Sequence, residues 1–229
     1  MSAFNIVSSN KLETKRELAK AKTRHTLLKS ALQLYSLEGT YGMSMNKIAK
    51  GAGIAQPSFY NHFDSLDALQ HELSEQLKDN YLSPMRMAWV NMLRDYATLT
   101  RDQFNQRCQH CLTMIFDVAF QNIELFQRLI EDSLRYGSTV EDRGLGSLIS
   151  EIQTEWTDIF MQGLQSAECS FEKSEVNLCV DIAAAQVHEL ILGCHQQRYS
   201  RQQAITMLSK NFDSLFSSFF TKELRRVNG

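Results

Sequence analysis

The sequence predicts an all-α protein of about nine helices, and three observations predict it. Apolar residues recur every three or four positions along most of the chain. Only two prolines and ten glycines occur in 229 residues, so little punctuation interrupts long helices. No stretch alternates apolar and polar residues as a half-buried strand does. We expect an N-terminal three-helix domain followed by a larger helical domain.

The composition excludes several classes of protein. No run of about 18 apolar residues is present, and the first ten residues lack the apolar centre of a secretory signal. Five cysteines, an odd number without framework spacing, indicate a reducing compartment. We therefore expect a cytoplasmic protein with no membrane partner.

Charge is distributed unevenly along the chain. Residues 1–63 carry nine basic and three acidic residues, a net charge of +6, whereas the remainder has a net charge of −8. A basic head on an acidic body is typical of a polyanion-binding domain joined to a domain that does not bind polyanions. The alternative is a helical arm whose charges are merely solvated.

The first residues of the basic head could form either a flexible arm or an extension of the first helix. We predict a flexible basic arm over residues 1–20, a DNA-binding domain over 21–66 and a second domain over 67–229. Helix-permissive residues between Lys11 and Arg24 leave a second alternative open, in which this segment extends the first helix. That helix is predicted from Lys22 to Leu37 by its apolar spacing.

Two short helices and a tight turn are predicted between Ser44 and Phe63. The Ser44 hydroxyl can cap the first of them. Gly53 falls where a helix must stop and the chain must take a positive φ. Pro57 is tolerated in the first turn of the second helix, where backbone N–H groups have no partner. This pattern is typical of helix-turn-helix DNA readers.

Capping signals divide the rest of the chain. Ser65 caps a helix predicted from Leu66 to Tyr96, which Pro84 should kink. Capping boxes begin at Thr100 and Ser200. The further predicted helices are Arg101–Phe120, Ile123–Tyr136, Ser147–Ala167, Ser174–Gln197 and Arg201–Val227, with an irregular segment over 138–146.

The helix-turn-helix residues also carry a family likeness. Ala49-Lys-Gly-Ala-Gly-Ile-Ala55, followed by Ser58-Phe-Tyr-Asn-His-Phe63, closely resembles the DNA-binding signature of TetR-type transcriptional regulators. The resemblance covers about residues 22–75. It departs from the family at Leu66, where lysine is usual, and at Gln56-Pro57. A weaker likeness, over Ala55–His62 and Phe126–Ile130, points to the branch that represses unsaturated fatty-acid synthesis.

A recognition helix must present polar side chains to base edges and keep its other face apolar. Gln56, Ser58 and Asn61 are the candidates for base contact, and Tyr60 and His62 resemble the family's phosphate contacts. Three alternatives remain. Tyr60 could be a core aromatic, His62 could be a surface residue without a DNA contact, and Ser44 could serve only as a helix cap. The predicted DNA-binding residues are Lys22, Thr23, Arg24, Ser44, Lys47, Gln56, Pro57, Ser58, Tyr60, Asn61 and His62.

The last two helices are the candidates for a homodimer interface. Each has a broad apolar face, and two such helices from each subunit would form a four-helix bundle. An ordinary intrachain core is the alternative. A twofold dimer would place its recognition helices about 34–36 Å apart on a pseudo-palindromic operator. The predicted interface residues are Val180, Ala184, Val187, Ile191, Leu208, Phe212, Leu215 and Phe219.

A cavity for a small effector is expected among the middle helices. The predicted lining is apolar, which favours an apolar effector such as a fatty acyl compound, with Arg128 or Arg135 meeting a polar head. Effector binding would shift the tilt of the fourth helix and so the operator affinity. The predicted lining residues are Phe104, Met114, Phe116, Phe120, Phe126, Trp156, Phe160 and Met161.

Other chemistry is not indicated. Cys108-Gln-His-Cys111 resembles a metal or redox motif, but His110 points away from the face that the cysteines share, and no second pair of ligands follows. We expect no metal, no cofactor and no catalytic residue. The sequence thus predicts a homodimeric, ligand-responsive repressor. Control by a partner protein and regulation of efflux genes by a hydrophobic drug are the alternatives, and a helical enzyme is a remote one.

Overall fold

The computed structural model describes residues 15–82, 86, 87, 89, 90, 99–136, 145–166 and 172–227. These residues form nine α-helices and no strand, which confirms the predicted all-α class. A π-helical turn, Lys78–Leu82, follows the fourth helix, and a 3₁₀ turn, Leu145–Ser147, precedes the seventh. In chain order the helices are α1 (Lys15–Gly42), α2 (Met45–Gly51), α3 (Gln56–Phe59), α4 (Leu66–Leu77), α5 (Arg101–Gln121), α6 (Ile123–Tyr136), α7 (Leu148–Ser166), α8 (Lys173–His195) and α9 (Arg201–Val227).

Side-chain caps set the starts of four helices as predicted. The hydroxyls of Ser44 and Ser65 accept from the backbone N–H groups of Lys47 and Ala68, at 3.3 and 3.0 Å. Reciprocal capping boxes begin α5 and α9, with Thr100 paired to Gln103 and Ser200 paired to Gln203. Each box satisfies N–H groups that a helix start otherwise leaves free.

Helix α1 is longer than predicted. It begins at Lys15, so the described part of the predicted arm is an extension of the first helix, the second of the two alternatives. Residues 1–14 lie outside the described residues, and the domain boundaries at 20 and 66 stay predictions. At Gly39 the backbone takes a φ of 70°, which interrupts the helix near the predicted end.

Helices α3 and α4 are shorter than predicted. Residues 60–62 leave the helical path of α3 and form hydrogen-bonded turns, with the N–H of His62 donating to the Phe59 carbonyl at 2.9 Å. Helix α4 ends at Leu77 and passes into the π turn. Pro84 and Tyr96 lie outside the described residues, as does most of the predicted irregular segment over 138–146.

Two hydrophobic cores hold the helices together. One lies under the N-terminal helices, but it continues into α6 and α7 through Leu125, Leu129, Leu148 and Ile149. The other fills the space among α5, α7, α8 and α9. The N-terminal helices therefore complete their core with side chains from the larger domain, which couples the two mechanically.

Helix α8 is long and apolar enough to cross a membrane by length and composition alone. A core helix of a soluble protein meets the same criterion, and α8 buries Val176, Val180 and Ile191 in the core among α5, α7 and α9. The helix is therefore weak support for a membrane location.

Candidate nucleic-acid interface

The recognition segment, residues 56–63, has one apolar and one polar face. Phe59 and Phe63 are 0% and 3% exposed, with ring centroids 5.7 Å apart, as predicted for inward-facing residues. Tyr60 is 53% exposed, so its core alternative is wrong. The polar face consists of the exposed residues Gln56, Pro57, Tyr60 and Asn61, with Ser58 and His62 half-buried beside them.

Helix α2 precedes the recognition segment in the chain, and Ser44 caps its start as predicted. Ser44 is committed to the Lys47 N–H, although a hydroxyl oxygen can serve as cap and still donate its proton to a phosphate. The Lys47 ammonium is exposed and pairs with Glu38 at 2.5 Å. An exposed pair of this kind contributes little to stability, so Lys47 can exchange Glu38 for a phosphate.

Two further polar side chains on α2 were missed by the sequence analysis. Asn46 and Lys50 are exposed and lie one turn apart, next to Lys47. Their one signal in the sequence is their position between the apolar residues of a short helix. Lys50 adds a positive charge to the same helix.

Arg24, a predicted DNA contact, is engaged within the chain, and its contact with DNA stays a prediction. Its guanidinium donates to Glu72 of α4 and to the His62 carbonyl, and it lies over the Phe63 ring at 4.0 Å. Arg24 thus ties α1 to α4 and to the end of the recognition segment. Thr23 donates its hydroxyl to the Ala19 carbonyl at 3.0 Å, whereas Lys22 is exposed.

His62 is a neutral hydrogen-bonding group rather than a cation. Burial lowers its pKa, and the charges of Lys20 and Arg24 lower it further. Its Nδ1 is buried and has no hydrogen-bond partner among the described residues. A neutral imidazole retains one N–H donor, which suits a phosphate oxygen.

The spacing of α1 and α2 depends on a close contact that the sequence analysis also missed. Ser30 is buried and donates its hydroxyl to the Ile48 carbonyl at 2.9 Å. A Cβ on Gly51 would lie 2.3 Å from the Ser30 Oγ. Gly51 therefore permits the approach of α2 that positions the recognition segment. At the start of α4, Leu66 packs against the core instead of reaching for DNA as the usual lysine would.

The predicted dimer residues lie inside the single chain. Val180, Ala184, Val187, Ile191, Leu208 and Phe212 are each at most 2% exposed in it, and Leu215 packs against the same core. These seven side chains form the intrachain core that was the alternative, because α8 and α9 turn their more apolar faces toward α5 and α7. The side chain of Phe219 lies outside the described residues.

A cavity of about 810 Å³, counted out to its open mouth, lies among α4 to α8. Of the eight predicted lining residues, Phe126 and Trp156 line it. Phe104, Phe116 and Phe160 are buried in the core instead, and Met114, Phe120 and Met161 pack against it. Arg128 bonds to the Leu37 carbonyl and to Glu131, away from the cavity. The full lining is Leu77, Ile115, Val118, Ala119, Asn122, Leu125, Phe126, Leu129, Leu148, Ile149, Ile152, Trp156, Ala184, Val187 and His188.

The cysteine pair on α5 is buried. Burial raises the pKa of Cys111 to about 11, and burial with the charges of Cys111 and Asp213 raises the pKa of Cys108 further. A thiol held protonated is a poor metal ligand or nucleophile. Within the described ranges no group of three or more His, Cys, Asp or Glu residues is arranged to hold a metal ion.

An exposed polar recognition segment over buried phenylalanines, with a basic helix beside it, defines a helix-turn-helix domain carried on a helical body. Residues 27–73 match the family model for bacterial regulatory proteins of the tetR family. This part of the chain is therefore similar to the N-terminal domain of that family.

Two curated relatives are similar to a part of this chain. An uncharacterized HTH-type transcriptional regulator of Haemophilus influenzae is 37% identical over 62 residues, 27% of this chain and 30% of that protein. One from Mycobacterium tuberculosis is 29% identical over 77 residues, 34% of this chain and 35% of that protein. The match thus spans about a third of the length of these relatives.

Solved structures share the fold over most of the chain. A tetR-family transcriptional regulator from Streptomyces coelicolor has a TM-score of 0.59 at 19% identity, covering 88% of this chain and 83% of that one. A TetR-like regulator from Rhodococcus has a TM-score of 0.58 at 14% identity, covering 82% and 92%. At these identities the likeness establishes the fold alone.

Proposed function

We propose that this protein is a homodimeric transcriptional repressor of the cytoplasm that binds a pseudo-palindromic operator and answers to a small apolar effector. The observation that carries the proposal is the recognition segment. It exposes Gln56, Tyr60 and Asn61 over a buried Phe59 and Phe63, within a domain that matches the TetR family. Gln and Asn amides suit adenine edges, and the Tyr60 hydroxyl suits a phosphate.

For the dimer we propose a surface on the outer face of α8 and α9, in place of the buried one. Leu178 and Met207 are 61% and 56% exposed, and Ile182 is 37% exposed. Leu178, Ile182 and Gln186 follow one another at intervals of one turn on α8. Gln186 accepts a hydrogen bond from Asn211, one turn from Met207 on α9, so these residues share one surface. We call this surface the outer α8–α9 face.

The cavity supports a small-molecule effector over a partner protein. A regulator controlled by a partner protein has no need of an apolar cavity, whereas this chain has one among α4 to α8 with almost entirely apolar walls. Leu77 at the end of α4 lines it, and so do Leu148 and Ile149, which also belong to the core beneath the DNA-binding helices. A ligand there would press on the side chains that support α4.

Footprinting on the region upstream of its own gene tests the proposal. The wild-type protein should protect two half-sites on one face of the duplex, with centres about one helical turn apart. The affinity should fall steeply as salt rises, because Lys22, Lys47 and Lys50 displace counterions from phosphates. A single protected half-site, or binding that is insensitive to salt, would contradict it. We propose no catalytic activity.

A further inference from the structure

The walls of the cavity restrict the chemistry of its occupant. Thirteen of its fifteen lining residues are apolar, and the other two, Asn122 and His188, are polar but uncharged amide and imidazole side chains. Among the described lining residues none carries a charge. A carboxylate or ammonium placed inside would lose its water without gaining a counter-charge, which is costly.

Asn122 offers a donor to the cavity rather than an acceptor. It follows the last residue of α5, and its amide oxygen accepts from the Leu125 N–H at 3.2 Å, which caps α6. Because the oxygen is engaged in the cap, the NH₂ group is the part left for a ligand.

His188 offers one donor and one acceptor. The ring is half-buried and stands edge-on to Phe126, with the centroids 5.7 Å apart. Burial lowers its pKa to about 4, so the ring is neutral near pH 7. Neither ring nitrogen bonds to another side chain in the described part of the protein, which leaves both for a ligand.

We infer that the cavity takes an uncharged, mainly hydrocarbon ligand with one hydroxyl or carbonyl group that bonds to His188 and Asn122, and that it discriminates against carboxylates. This inference rests on the proposed function, since it names the class of effector that the regulator would sense. It also removes the predicted contact between a ligand head group and Arg128, which is bonded elsewhere.

Three probes with the same chain length test the inference: 1-nonanol, 2-nonanone and nonanoate. Calorimetric titration of the full-length protein at pH 7.5 should show that the alcohol and the ketone bind at least about tenfold more tightly than the carboxylate. Nonanoate binding as tightly as nonanol would overturn the inference. This comparison uses the wild-type protein and so does not depend on any variant folding.

A pair of matched variants tests the role of His188. His188→Phe replaces the imidazole with another aromatic ring that has no nitrogen, so the affinity for nonanol should fall about threefold to tenfold. His195→Phe is the control, because His195 lies on the same helix edge-on to Phe120 but does not line the cavity. An equal loss in both variants, or no loss in His188→Phe, would overturn the role.

The same preparation should be assayed for binding to its upstream DNA. If none of the three probes binds while the DNA is still bound, the ligand inference fails and the proposed DNA-binding function stands. If the probes bind in the expected order while the DNA is not bound, the proposed function fails instead.

Discussion

Ser30 and Gly51 determine at the scale of single residues how closely α1 and α2 approach. Apolar spacing and caps predicted the helices, and the need for a positive φ predicted the place of Gly53, which the structure confirms at 72°. The contact of Ser30 with Gly51 was not predictable, because a contact between two helices depends on how they cross and leaves no periodic signal in either helix.

Replacing Gly51 with alanine should lower the free energy of unfolding by about 1–2 kcal/mol, because its Cβ would lie 2.3 Å from the Ser30 hydroxyl. Ser30→Ala should cost about 1 kcal/mol through the lost hydrogen bond to Ile48. The double variant should lose less than the sum of the two, since the clashing oxygen is gone. Urea unfolding measures all three, and strictly additive losses would argue against a direct contact.

His188 should make stability depend on pH. Its folded pKa of about 4 lies below the ordinary 6.5, so folding favours the neutral ring. Its contribution is complete above pH 6.5 and is lost as the pH falls toward 4, on the order of 3 kcal/mol over that interval. His188→Phe should lose less stability than the wild type between pH 7.5 and 4.5 in urea titrations. Identical pH profiles for His188→Phe and the wild type would refute this.

The junction of α1 with α6 carries the most specific contacts between elements. Asp132 on α6 is 3% exposed and accepts from the Thr40 backbone N–H and hydroxyl at 3.2 and 2.8 Å. Burial raises the pKa of Tyr35 beside it, and the Asp132 charge raises it further. Arg128 bonds to the Leu37 carbonyl. The helices themselves were predictable, but this junction was not, because Asp132 looks in sequence like any acid on a solvated face.

Asp132→Ala should destabilise the protein by about 2–3 kcal/mol, because the Thr40 donors and the Arg128 side chain at the same junction lose their charged neighbour. The matched control is Glu131→Ala. Glu131 is half-exposed and pairs with Arg128 one turn away, so its loss should cost less than about 0.5 kcal/mol. Similar unfolding midpoints for the two variants would show that the junction contributes little.

For the whole molecule, the sequence predicted the class, the order of helices and the helix-turn-helix domain, but it assigned to a dimer interface the faces of α8 and α9 that the structure buries within the chain. The apolar residues of both helices were read correctly. Which of these residues face the chain's own core depends on how α5 and α7 pack against the two helices. The sequence of a single helix does not show that packing. For the same reason only Phe126 and Trp156 of the predicted cavity residues line it.

Leu178→Asp should give monomers, because it places a charge on the outer α8–α9 face. Leu134→Asp is the control, since Leu134 is 81% exposed on α6, outside that face. Light scattering after size exclusion distinguishes the two outcomes. Phe212→Asp, a change at a predicted interface residue, should unfold the chain instead, because Phe212 is 2% exposed in its own core. A Leu178→Asp dimer would exclude the outer face as the interface.

The assignment of residues 56–63 as the DNA-reading surface is tested most directly by measuring operator affinity by band shift at fixed salt. The variants are Tyr60→Ala and Ser58→Ala, and Tyr199→Ala is the control. Tyr60 and Tyr199 are both exposed, at 53% and 44%, but only Tyr60 belongs to the recognition segment. We expect Tyr60→Ala and Ser58→Ala each to weaken binding by about fivefold or more while remaining dimers, and Tyr199→Ala to bind as the wild type does. Wild-type affinity in both recognition-segment variants would contradict the assignment of residues 56–63 as the DNA-reading surface.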